Sequence, residues 1–152
     1  MTRPIPQSSI DLVKQFEGCQ LTPYRDIGGV YTVGYGHTQG IDANTPPITQ
    51  ERADDLLMQD LTATGQDILN EVTVPLVDNK FAALVSFVFN IGIGHFATSG
   101  ALKQLNAGNY ALVPLHMMLW NHVNGVVVDG LTRRRAAECA LYNEPCGTIT
   151  SA

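Results

Sequence analysis

The sequence predicts an α+β fold with a small N-terminal lobe, built on a short β-hairpin and joined by one long helix to a larger helical lobe. Three observations carry this expectation. Strand-forming residues and a glycine pair gather between Leu21 and Tyr35, helical periodicity begins at Thr49, and capped apolar runs without period-two alternation fill the rest. Taken as one domain over residues 1–152, the small lobe occupies about residues 10–50, the linking helix 50–70 and the helical lobe 71–145.

Each element has a local reason. Ser8 or Ser9 is placed to cap a helix from Ile10 that stops near Gly18. Gly28-Gly29 ahead of Val30-Tyr31-Thr32-Val33 reads as the turn and return strand of a hairpin. Thr49 caps a helix whose positions Ala53, Leu57, Leu61, Thr64 and Ile68 recur at helical spacing. Asn79 to Asn90 is apolar on almost every side, as a helix central to a bundle would be. Ser99 caps a helix through Leu105, Pro114 opens one through Trp120, and Leu131–Leu141 forms the last. Strands are expected only in the early segment.

Composition narrows the function classes. Apolar residues make up 45% and charged residues 15%, an ordinary globular balance. The formal charge of −5 disfavours nucleic acid as a partner, because neutralising phosphates takes a basic face. Arg133, Arg134 and Arg135 form the one basic cluster, expected on a solvated helix face. The odd set Cys19, Cys139 and Cys146 predicts reduced thiols, and spacing alone leaves a Cys139–Cys146 pair open. No run is long and apolar enough for a membrane span, and the N-terminus lacks the pattern of an export signal.

Three residues carry candidate chemistry. Glu17 falls between Ile10 and Val13 on the apolar side of the first helix, at its C-terminal end; partial burial and the helix dipole both favour the neutral acid there. A carboxyl of that kind can serve as a general acid. The competing reading is a structural ion pair, for instance with Arg135. Asp26 lies in a wetter, Gly-rich turn that favours the carboxylate, although Asp is also an ordinary turn former. A hairpin folded back beside the helix end would set one neutral and one charged carboxyl across a cleft, as glycoside hydrolysis requires. Thr32, on the return strand, can help hold a water near Asp26. His37, His95, His116 and His122 show no metal-ligand spacing, and His37 reads as a structural hydrogen-bonding group. No metal, cofactor or phosphate loop is indicated.

The strings Phe16-Glu17-Gly18 and Pro23 to Thr38, with Phe89-Asn90-Ile91-Gly92, Trp120-Asn121 and Gly130 to Glu138, strongly resemble the phage-type lysozymes, the endolysin family of glycoside hydrolases. The resemblance spans nearly the whole chain. It implies a lysozyme-like fold and hydrolysis of the β-1,4 bond between N-acetylmuramic acid and N-acetylglucosamine of bacterial peptidoglycan. Glu17 would be the general acid, Asp26 the carboxylate that positions water, and Thr32 its partner. Phe89 and Ser99 would contribute to substrate binding. A monomer without cofactor is the default for a cleft enzyme of this kind, and the resemblance implies that it is made in the host cytoplasm and released to the wall through a holin-type pore. Relatives that are held inactive through cysteines carry a membrane anchor not evident here, so Cys19 is expected to be a packing residue. A lytic transglycosylase and a catalytically silent wall-binding domain are the competing readings.

Overall fold

The computed structural model describes residues 2–145. Helix α1 (Gln7–Phe16) leads into an antiparallel hairpin, β1 (Gln20–Arg25) and β2 (Tyr31–Gly34), followed by the long helix α2 (Gln50–Glu71). The remainder comprises α3 (Asp78–Ile91), α4 (Ile93–Ala97), α5 (Gly100–Asn106), a 3-10 turn at Tyr110–Leu112, α6 (Val113–Met118), the ribbon β3 (His122–Val123) with β4 (Val126–Val127), and α7 (Asp129–Tyr142). This is the α+β class expected from the sequence.

Helix α2 ties the hairpin to the helical body, and its 22 residues span about 33 Å. Thr49 caps it as expected, its hydroxyl accepting from Arg52 N at 3.0 Å. Near its start Ala53 lies under Gly34 of the hairpin, while further along Gly65 admits the Phe81 ring of α3. A Cβ on Gly65 would stand 3.1 Å from that ring, so a glycine in mid-helix is the cost of close helix packing. The buried stripe is Ala53, Leu56, Leu57, Leu61, Gly65 and Ile68; Thr64 instead bonds back to Asp60 O. Helix α3 is central, with Phe81 to Val88 all buried, and α1, α2 and α7 pack around it.

Several local expectations change. Helix α1 begins three residues early behind Pro6, whose fixed extended geometry sets up the first turn; Ser9 is buried and donates to Ala82 O at 2.9 Å rather than capping. Helix α6 stops at Met118, before Trp120. Strands are not confined to the early segment, because Asn124 and Gly125, at φ 51° and 78°, turn a second short ribbon. The arginine cluster is not a solvated face: Arg133 is exposed, but Arg134 and Arg135 are buried.

Cys19 packs partly buried against the core and Cys139 is buried with its thiol facing Pro114 O; Cys146 lies outside the described residues. Burial pushes the Cys139 thiol up to about 11, so only about one thiolate in a thousand forms at pH 8. Iodoacetamide at pH 8, followed by peptide mass mapping, is therefore expected to modify Cys19 while sparing Cys139 until urea is added. Equal labelling rates at the two positions in the native protein would contradict this packing.

Candidate active site

Glu17 is the residue on which α1 ends, its N–H still bonded to Val13 O at 2.8 Å while its backbone turns extended. That position sends the side chain out of the helix and into a cleft of about 520 Å³, whose walls include Phe16, Asn90, Leu131, Arg133 and Arg134. The Glu17 side chain is 25% exposed, largely sheltered and still reachable. Arg134 Nη1 donates to its Oε2 at 2.5 Å. The ion-pair partner is thus Arg134, not Arg135, which is turned inward to Glu138. On the opposite side the turn Gly34-Tyr35-Gly36 brings backbone close to Glu17. A Cβ on Gly36, already at φ +83°, would lie 3.8 Å from Glu17 Oε1.

Behind Arg134 stands a buried network. Arg134 Nε donates to Glu138 Oε2 at 3.1 Å, and its Nη2 reaches Ser86 O at 3.3 Å. Ser86 Oγ donates to the same carboxylate oxygen at 2.6 Å, and Arg135 Nη2 does so at 3.2 Å. Arg135 Nε lies 2.7 Å from Glu138 Oε1 but off the hydrogen-bonding line, so this contact is an ion pair rather than a well-formed bond. Arg135 also reaches forward to Asn90 Oδ1 at 2.8 Å, bracing a residue of the cleft wall. Burial raises the Glu138 carboxyl and lowers Arg135, and their mutual attraction opposes both shifts.

Asp26 and Thr32 share the hairpin. The register pairs Tyr24 with Thr32 and Arg25 with Tyr31, so Asp26 falls opposite Val30 and on the same face as Thr32. Asp26 Oδ1 accepts from Val30 N at 2.8 Å, and its own N–H bonds to Val30 O. Gly29, at φ +81°, closes the turn. Thr32 is 3% exposed and donates its hydroxyl proton to Val30 O at 3.0 Å, which leaves its oxygen as an acceptor.

The sequence-predicted binding residues sit further back. Phe89 is half-buried against the core, and it is the next residue, Asn90, that faces the cleft. Ser99 is buried with both hydroxyl roles engaged, accepting from Leu102 N and donating to Phe96 O as the cap of α5. His37 bridges Asp60 Oδ2 at 2.8 Å and Gln39 O at 3.0 Å, fixing the hairpin loop to α2. Among the described residues no group of three or more His, Cys, Asp or Glu is placed to hold a metal, and no helix is long and apolar enough to cross a membrane.

The family model described as phage lysozyme matches residues 14–138, which takes in Glu17, the hairpin, the cleft wall and the Arg134–Glu138 network. The chain belongs to the phage lysozyme family. Within that family it is 39% identical over 142 residues to the endolysin of Salmonella phage P22, covering 91% of this chain and 97% of the relative. It is 40% identical over 141 residues to the endolysin of Bacillus phage PZA, but spans only 55% of that protein's length. The muramidase domain of SpmX from Asticaccaulis excentricus superposes with a TM-score of 0.87 at 37% identity, covering 94% of this chain and all of that one.

Arg134, Glu138 and Asn90 are site residues that the sequence reading did not single out. A signal for two of them was present, since Arg134 and Glu138 stand four apart on a helix, the spacing of a side-chain pair.

Proposed function

We propose that this phage-type lysozyme is a muramidase that hydrolyses the β-1,4 bond between N-acetylmuramic acid and N-acetylglucosamine in peptidoglycan. The observation that carries this reading is a largely sheltered Glu17 side chain in the wall of an open cleft, its carboxyl held by Arg134 through one oxygen. Glu17 donates its proton to the glycosidic oxygen as the bond to the sugar breaks. A water then attacks the anomeric carbon from the other face, passing its proton to the Asp26 carboxylate. Thr32 has committed its own proton to Val30 O, so it meets that water as an acceptor. A water giving one hydrogen to Asp26 and the other to Thr32 turns a lone pair toward the sugar. Phe89 and Ser99 act through the framework: Phe89 backs the helix that presents Asn90, and Ser99 caps α5.

Product analysis tests the chemistry. Digestion of purified sacculi is expected to release muropeptides with new reducing ends, one for each bond cut. Anhydromuropeptides would show instead that the muramic ring closes without water, and wall binding without soluble fragments would show that the fold has lost its catalysis.

A further inference from the structure

Glu138 is the one carboxylate among the described residues that is completely buried, and the hydrolytic steps above make no use of it. Taking Glu17 as the proton donor, we propose that Glu138 is a positioning residue that lets Glu17 hold its proton beside two arginines.

The argument begins with charge. Glu17 must be protonated to act, yet the Arg134 guanidinium sits directly on it. Arg135, fully buried one residue on, adds a second positive charge to the same region. Glu138 contacts both cations, at 3.1 Å from Arg134 Nε and 2.7 Å from Arg135 Nε, and Ser86 from α3 fixes it with a hydrogen bond of 2.6 Å. When Glu17 takes up a proton, Arg134 is therefore not stranded, because Glu138 still pairs with it. Without Glu138 the protonated state would leave two guanidiniums with no anion, and Glu17 would be driven to supply one. The other groups around Glu138 cannot replace it. Cys139 is a buried neutral thiol, and Asn90, which faces Arg135 from α3, carries no charge. The geometry has a second effect. With Nε and Nη2 tied to Glu138 and Ser86, Arg134 has only Nη1 turned to Glu17, so it grips one oxygen of the acid.

The pH profile of kcat/KM on sacculi reads this role. Its alkaline limb reports loss of the donor's proton. Glu138→Gln keeps the shape and removes the charge, so that limb is expected to move down by about one pH unit or more. Activity at pH 8 relative to pH 5 then falls by up to about tenfold for each pH unit that the limb moves. Adding Arg135→Gln to it removes one cation as well and is expected to move the limb back toward its original place. A uniform loss at every pH would mean a structural role only, and an unmoved limb in a folded Glu138→Gln protein would overturn the proposal. If neither variant folds, carboxyl carbon shifts of the labelled natural protein decide. Glu138 is expected to stay ionised across the pH range in which the rate falls, and finding it protonated at pH 7 would overturn the idea. Failure of the underlying reading looks different, because a natural protein with no hydrolysis at any pH would have no limb to move.

Discussion

Glu17→Gln is expected to abolish lysis while leaving the fold in place. Gln preserves the volume but has no proton to give, and a positioned general acid accounts for about 10²–10⁴ in rate. The fold survives because the partner left behind is not isolated: Arg134 keeps its bonds to Glu138 Oε2 and Ser86 O, and residue 17 lies at a helix end where the side chain is 25% exposed. Turbidity loss of outer-membrane-permeabilised Gram-negative cells, at matched protein concentration and with folding verified by circular dichroism, measures the difference. Equal lysis by both proteins would remove Glu17 from the chemistry. No lysis by either would favour a wall-binding domain without catalysis.

The features legible in the sequence were those whose causes are local. Thr49 caps α2 because a hydroxyl three residues before an unsatisfied N–H needs no tertiary help. The hairpin follows from the Gly28-Gly29 turn and the strand-prone residues after it, and period two then puts Asp26 and Thr32 on one face. The stretch from Asn79 to Asn90, apolar on almost every side and longer than an ordinary buried strand, reads as a buried helix, and Phe81 to Val88 within it are all buried. The ribbon at 122–127 was missed although Asn124-Gly125 is a strong hairpin signal, because its strands are only two residues long and are exposed on both faces.

The electrostatic half of the site was less legible, for a physical reason. Three adjacent arginines ordinarily face water, because desolvating a guanidinium is costly unless it is paired. Here the pairs come from Glu17 on α1, Ser86 and Asn90 on α3, and Glu138 on α7 itself. Only the last is close in sequence. Yet Leu131, Arg134, Arg135, Glu138, Cys139 and Tyr142 follow the helical stripe that an apolar core face would, and charges occupying such a stripe at i, i+3 and i+4 are themselves the sign of a buried network. The family resemblance also pointed to Phe89 and Ser99; in the structure Phe89 packs against the core, Ser99 caps α5, and Asn90 lies in the cleft wall.

Phe87→Ala is expected to be the most damaging single change to stability. The ring is fully buried and meets Phe96 and Trp120 edge-on, with centroids 6.4 Å away in each case. The Arg135 guanidinium lies 5.0 Å above it. Truncation removes the apolar area, opens a cavity that flanking helices cannot close, and takes away the cushion under a buried cation. Large-to-small changes of this kind cost about 3–5 kcal/mol, which in a domain of this size lowers Tm by roughly 6–20 °C. Urea unfolding measures it directly, since the midpoint should fall with the slope unchanged. Because Phe87 also supports Trp120, and Trp120 O accepts from Arg135 Nη1 at 3.2 Å, the damage should reach the cleft. At temperatures where the variant is still folded, its kcat/KM on sacculi should be below that of the natural protein. A loss of less than about 1 kcal/mol, the size of an ordinary surface change or smaller, would mean that this aromatic cluster does not hold α3 to the cleft wall.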